Sequence, residues 1–202
     1  MVTSMERMSR ESRRQQLLEV ARAIIRNEGT EALTLGYLAD QAGVTKPVTY
    51  DHFGDRNGLL IALYQAFDNK QVEVLRESLA KEAVTLELTL LVFADAYVNC
   101  AIASGPEIGP VIAALSGSGT PRSFLNDCRA RYSDCLRVAL NPFVILRGAR
   151  GNAALLAMIG AAEAISAAAG NRQVMRGVAV EMLYGALKGT LMIYSKAFAL
   201  PS

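Results

Sequence analysis

The sequence predicts an all-α protein: an N-terminal three-helix unit carrying a helix-turn-helix, followed by a larger C-terminal helical bundle. Three observations carry that prediction. Apolar residues recur at helical spacing along most of the chain. No run alternates β-branched and polar residues in the manner of a half-buried strand. Gly, Pro and capping residues fall at the intervals that ordinary helices require, giving about nine helices in all. With 51% hydrophobic and 20% charged residues in 202 positions, the chain can bury a sizeable core and lacks the composition of a disordered protein.

The first helix covers about 9–28, with Leu17, Leu18, Ala21, Ile24 and Ile25 on its inner face and Gly29 after its end. Residues 33–53, LTLGYLADQAGVTKPVTYDHF, then read as two short helices with a sharp break. Thr34 is placed to cap the first. Leu35, Leu38, Ala39 and Ala42 form its apolar stripe, and Gly43 closes it through the left-handed conformation. Thr45 is placed to cap the second, and Pro47 falls in its first turn, where a missing N–H costs nothing. Two short helices joined by a tight, Gly-containing turn form the motif whose second helix enters a DNA major groove.

Asp55 opens the fourth helix, which runs to about Ala80 with Leu60, Leu63 and Phe67 as its stripe. A fifth, about 85–103, is apolar almost all round and is therefore expected to be buried on most sides. Gly105 and Pro106 break it, a short piece covers 107–115, and SGSGT at 116–120 reads as a loop. Thr120 and Pro121 start the seventh helix, whose apolar face is Leu125, Cys128, Tyr132 and Leu136, and Pro142 ends it. The Ala-rich eighth helix covers 151–170. The ninth, about 172–198, carries Met175, Val178, Met182, Leu183, Leu187, Leu191 and Ile193 among its apolar positions. Helices one to three form a compact unit, the fourth is a bridge, and the chain after about residue 70 makes a second bundle.

Bulk charge does not argue for nucleic acid, because the formal net charge is only +2. A DNA contact must come from where the positive charges sit. The N-terminal arm, 1–9, and the residues just after it carry Arg7, Arg10, Arg13 and Arg14; they read either as cations that follow phosphates or a minor groove or as a solvated tail. Three cysteines, Cys100, Cys128 and Cys135, give no paired framework and suggest a reducing cytoplasm. They read as buried small hydrophobes, with a redox switch as the rarer alternative. No secretory signal is visible. The stretch 151–170 is long enough to span a membrane but is mostly Ala and Gly with Glu163 in mid-span, so a buried, closely packed helix is the better reading.

One ordered pattern covers about 10–64: Asn27-Glu28-Gly29, Leu33-Thr34, Leu38-Ala39, Ala42-Gly43-Val44, Lys46, Tyr50, His52-Phe53, Arg56 and Leu59-Leu60. In this pattern the chain resembles the tetracycline-repressor (TetR) family of bacterial transcriptional regulators. The C-terminal part matches only in length, helix content and an apolar final pair of helices. The resemblance implies a DNA-binding domain at 10–69 and a ligand-binding and dimerisation domain at 70–202. It implies a ligand-responsive regulator, most simply a repressor, binding a palindromic double-stranded DNA operator as a homodimer and released by a small organic effector. An activator, or a family member without an effector, is the alternative.

The same resemblance places DNA contacts at Thr34, Lys46, Pro47, Val48, Thr49, Tyr50, His52 and Arg56. The chemistry of each is readable. Lys46 donates to guanine or to phosphate, while Pro47 and Val48 offer only apolar contact. Tyr50, His52 and Arg56 suit phosphate, and Thr34 adds a hydroxyl at a helix N-terminus. Two positions depart from the family. Gly36 stands where relatives often carry a longer polar residue. Thr49 stands where they prefer a larger apolar anchor, so the recognition helix is expected either to pack on its methyl or to sit loosely.

In the bundle, polar residues on apolar helices are the candidates for effector contact: Asp95, Tyr97, Asn99 and Cys100 on the fifth helix, Phe124, Cys128 and Tyr132 on the seventh, Glu163 and Tyr184 on the last two. Ordinary core packing is the competing reading for each. Ala153, Ala157 and Ala161, with Gly160 and Ala164, permit close helix approach, so the eighth and ninth helices, about 151–198, are the expected homodimer face. His52 is the only histidine, so no metal site and no cofactor is expected. The sequence carries no GxSxG, P-loop, CxxC pair or HExxH, and an enzyme is not expected.

Overall fold

The computed structural model describes residues 8–103, 105–117 and 122–196. Among the described residues there are nine α-helices, one short 3-10 turn and no strand. They are α1 (Arg10–Glu28), the 3-10 turn (Thr30–Ala32), α2 (Leu35–Ala42), α3 (Lys46–Phe53), α4 (Arg56–Glu82), α5 (Leu86–Ala103), α6 (Gly105–Gly117), α7 (Arg122–Leu140), α8 (Gly148–Gly170) and α9 (Arg176–Lys196). Most of the basic arm, including Arg7, lies outside the described residues, as do 118–120 of the expected loop.

The chain divides into two compact units, Met1–Phe67 with Pro106–Thr120, and Asp68–Gly105 with Pro121–Ser202. The sequence-based division at 69/70 kept everything beyond it in one continuous domain. The structure instead returns α6 to the first unit, where Ile108, Val111 and Leu115 are buried at i, i+3 and i+7 spacing.

In the first unit each helix end has a chemical reason. Ser9 caps α1 by accepting from the Ser12 N–H at 3.1 Å, and Thr34 caps α2 by accepting from the Tyr37 N–H at 3.1 Å. Gly43, with φ +64°, closes α2 in the left-handed region. Asp55 opens α4 by accepting from the Gly58 N–H at 2.7 Å. Leu17, Ala21, Leu33, Leu38, Ala39, Leu59 and Leu63 have no exposed surface and form the centre of this unit.

In the second unit α8 and α9 pack on one another and both pack on α5. Phe93, Ala94 and Val98 from α5, Met158 and Ala162 from α8, and Leu183 and Leu187 from α9 are fully buried. The fifth helix, expected to be buried on most sides, also leaves apolar residues open: Leu88 and Leu91 are exposed. Both α5 and α8 are long and apolar enough to cross a membrane by length and composition. Each contributes a buried face to this core, and Glu163 in mid-α8 pairs with Arg129. The turn from α7 to α8 is held by side chains. Arg137 Nη1 donates to the Leu146 carbonyl at 2.9 Å, and the Tyr194 hydroxyl accepts from the Arg147 N–H and donates to the Ile145 carbonyl. With its first turn tied down in this way, α8 starts at Gly148, three residues before the Ala-rich run alone indicates.

Candidate functional site

The two short helices of the first unit are set by their turn. The Val44 N–H donates to the Ala39 carbonyl at 3.0 Å, wrapping the chain around Gly43 before α3 begins. Thr45 occupies the N-cap position of α3, but its side chain makes no capping bond, contrary to expectation. Pro47 follows in the first turn. Lys46, Pro47 and Tyr50 are exposed on α3, Tyr50 at 54%, and Val48 is half-buried. Thr34 is exposed at the start of α2, and since its oxygen accepts the capping bond, its O–H is left to donate. The Lys46 stem runs across Gly36: a Cβ built on Gly36 stands 3.6 Å from Lys46 Cε and 3.9 Å from Nζ.

Thr49 does not belong with the exposed residues of α3 and is corrected as an expected DNA contact. Its side chain is fully buried, and its Oγ1 donates toward the Leu35 carbonyl at 3.0 Å and the Lys46 carbonyl at 2.8 Å. A side chain with no exposed surface has no reach to DNA. The expected alternatives, methyl packing or a loose helix, miss this outcome: the hydroxyl replaces the apolar anchor with a hydrogen bond from α3 to the first residue of α2. Thr49→Val keeps the shape and removes the bond, and is expected to destabilise the protein by about 1–2 kcal/mol. Urea unfolding checks this; an unchanged midpoint would show that the hydroxyl does not hold α3.

The cations near the motif serve the protein's own backbone. Arg10, Arg13 and Arg14 are residues of α1, not of an arm. Arg10 Nη2 reaches the Asp51 carbonyl at 3.3 Å and its carboxylate at 3.2 Å. Arg14 Nη1 donates to the His52 carbonyl at 2.9 Å and lies 5.0 Å from the centre of the Phe53 ring. Positive charge at the last carbonyls of α3 is favourable to the helix. Arg56 Nε and Nη2 donate to the carbonyls of Leu33 and Thr30 at 2.9 and 2.8 Å, fixing the 3-10 turn that leads into α2. His52 is half-buried beside Phe53; burial, and then Arg10, push its pKa below the usual 6.5, so its ring is neutral at neutral pH. Tyr37, which sequence reasoning passed over, donates through its hydroxyl to Glu28 at 3.0 Å, and this bond raises its pKa.

In the second unit the expected effector residues separate into distinct groups. Asp95 and Asn99 bond to each other at 2.8 Å, and Arg176 closes the set, at 2.5 Å to Asp95 and 2.7 Å to Asn99. That triad ties α5 to the start of α9. Glu163 pairs with Arg129 at 2.5 Å, and Tyr184 accepts from Lys188 at 3.4 Å. Phe124 is half-buried.

Tyr97, Cys100, Cys128 and Tyr132 do come together. The Tyr97 and Tyr132 rings are 5.1 Å apart, and the Tyr132 side chain hydrogen-bonds to Cys100 and to Asp68. Asp68 and Arg131 complete the group, and neither carries a local signal by which it could be picked out from the sequence. The Asp68 carboxylate, 2% exposed, accepts from Arg131 Nη2, while Arg131 Nη1 donates to Asn69 Oδ1. Burial pushes the Asp68 carboxyl above its usual range, and Arg131 pulls it down. The same burial raises all three thiols, Cys100 to about 11, which disfavours the thiolate that a redox switch needs.

Beside this group, between the second half of α4 and α7, lies an open cavity of about 410 Å3. Leu79, Ala80, Ala83, Val138 and Ala139 form its apolar wall. Arg76, Arg131 and Asp134 supply its polar groups, with Cys135 between. None of the nine expected effector residues lines it.

Comparison with known proteins agrees with this anatomy. Residues 17–63 match the family described as bacterial regulatory proteins, tetR family. The HTH-type transcriptional activator FasR of Mycolicibacterium smegmatis is 37% identical over 73 residues, 36% of this chain and 33% of FasR; the chain thus spans about a third of that relative's length. Among solved structures, a tetR-family transcriptional regulator from Streptomyces coelicolor superimposes with a TM-score of 0.65 at 20% identity, covering 93% of this chain and 85% of that one. The transcriptional regulator FadR from Bacillus subtilis, in complex with stearoyl-CoA, gives 0.64 at 18% identity, covering 87% and 96%. At these identities the structural likeness establishes the fold, and the match over 17–63 establishes the helix-turn-helix module. Together they give a helix-turn-helix module of the tetR family type over 17–63, on a chain with the fold of tetR-family regulators.

Proposed function

We propose that this protein is a cytoplasmic transcriptional regulator that binds a palindromic operator as a homodimer, acts as a repressor, and is released by a small organic effector held in the second unit. The observation that carries the DNA reading is the exposed Lys46, Pro47 and Tyr50 face of α3, on a helix fixed from behind by Thr49. Thr34 adds a phosphate donor at the start of α2. Tyr50 supplies an O–H at a site more than half exposed. Arg56 acts mainly by holding the carbonyls of Leu33 and Thr30, and the half-buried His52 ring packs beside Phe53.

The dimer reading is supported by apolar surface on the last two helices. Leu156 is 71% exposed, Met182 52% and Ile193 69%, and Ala153, Ala157, Gly160 and Ala164 are exposed along α8. Apolar residues displayed in this way mark an interaction face. Two-fold dimers of helix-turn-helix proteins read half-sites about 34–36 Å apart, and that is the operator spacing expected here. The effector reading is supported by the cavity beside α7 and by the stearoyl-CoA complex of the structurally similar FadR. An activator is the second reading, favoured by the name given to FasR.

Operator footprinting on the DNA flanking the protein's own gene tests this reading. Lys46→Ala and Tyr50→Ala are each expected to abolish protection at concentrations where the wild type protects fully. Lys46→Ala should also lower the slope of log affinity against log salt by about 1. Wild-type footprints from both variants would remove α3 as the recognition helix.

A further inference from the structure

The cavity between α4 and α7 has the chemistry of a specific ligand class. Its volume, about 410 Å3, is in the range of small-molecule sites. One wall is aliphatic, made by Leu79, Ala80 and Ala83 on α4 and by Val138 and Ala139 on α7. Two guanidiniums, Arg76 and Arg131, stand among the lining residues against one carboxylate, Asp134. Arg76 is held by Glu73 at 3.0 Å in an i, i+3 pair with both side chains more than half exposed. So exposed a pair is weak and yields easily to another anion. Arg131 has 37% of its side chain exposed while its inner edge is fixed on Asp68 and Asn69, so it is presented to the cavity by a rigid support. Val138, 72% exposed, adds to the apolar wall.

We propose that this cavity binds an alkyl chain ending in an anionic group, the chain lying on Ala80, Ala83 and Val138 and the head meeting Arg76 and Arg131. The proposal rests on the ligand-responsive reading above and names the ligand's class and its place. It moves the effector away from the Asp95 and Asn99 triad, whose groups are already bonded to Arg176. It also gives Arg131 two anions to serve, the ligand head and Asp68. Binding of the head is therefore coupled to the tie between α7 and the Asp68–Asn69 segment of α4.

The test is calorimetric titration of the full-length protein, without DNA, with decanoate, decanoyl-CoA, decanol and acetate. Decanoate or decanoyl-CoA is expected to bind at least about ten-fold more tightly than decanol or acetate, since a charge-assisted bond is worth about that much and the tail adds apolar burial. Preference between the first two tells whether the natural head is a free carboxylate or a phosphorylated carrier. Ala80→Trp fills the wall from an exposed position and is expected to abolish binding with an unchanged melting curve. Arg76→Met, which leaves the buried Arg131–Asp68 pair intact, is expected to weaken the anion about ten-fold and leave decanol unaffected. Decanol binding as tightly as decanoate, or full binding to Ala80→Trp, overturns the proposal. Because no DNA is present, either result is independent of whether the operator reading holds.

Discussion

Gly58→Ala is expected to unfold the helix-turn-helix unit, with a loss of about 3 kcal/mol or more, which is the upper end of overpacking costs. A Cβ on Gly58 stands 2.0 Å from the Phe53 carbonyl oxygen and 3.2 Å from its carbon. The obstacle is backbone, and it has no rotamer by which to retreat. That carbonyl also accepts from the Asp55 N–H at 2.8 Å, while Gly58 N–H bonds to the Asp55 carboxylate at 2.7 Å. The added methyl therefore strikes the turn that joins the end of α3 to the start of α4. Gly36→Ala is the control: its Cβ meets Lys46 Cε at an ordinary 3.6 Å, and removing a helical glycine gains up to about 1 kcal/mol. Thermal melts and operator binding should fall together for Gly58→Ala. A melt matching the wild type would show that the turn relaxes more freely than its bonds indicate.

Arg131→Met is expected to destabilise the protein by about 2–3 kcal/mol at neutral pH. Removing one partner of a buried pair costs about 3–5 kcal/mol, and the figure is reduced here because the guanidinium is more than a third exposed and partly screened. The Asp68 carboxyl is already held above its usual range by burial, with Arg131 opposing. A carboxyl raised on folding binds more protons in the folded state, so its contribution is most favourable in acid and declines as pH rises through the raised value. Without the guanidinium that decline deepens. The deficit of Arg131→Met should thus be greatest at neutral pH and shrink as pH falls into the carboxylate range. Asp68→Asn in the Arg131→Met background should recover part of it by removing the stranded charge. Urea midpoints across pH check both; a deficit that does not change with pH would place the loss in packing instead of charge.

Much of the first unit was legible because its signals are local. Gly29, Gly43 and Thr34 act on backbone groups within four residues, and the buried stripe of α1 is the one its spacing predicts. What was not legible depends on groups far apart in sequence. Thr49 bonds a carbonyl 14 residues away, and Arg14 one 38 residues away. From sequence, a threonine in an apolar slot signals weakness, and arginines beside a DNA motif signal DNA. The fold supplies Thr49 and Arg14 with backbone acceptors instead. In the bundle, Asp95 and Asn99 are one turn apart and bond to each other, but the group that completes them, Arg176, is 77 residues from Asn99. The cavity was invisible for the same reason: Ala80 and Val138 carry no chemistry to notice until two helices place them on one wall.

The Lys46 side chain stretched over Gly36 means that these two positions do not vary independently. A long side chain introduced at 36 would occupy the space in which the Lys46 stem now lies, and would push its ammonium elsewhere. Changes at the two sites are therefore expected to be epistatic in their effect on operator preference. On the recognition helix proposed above, a new base preference would then be acquired by this pair together.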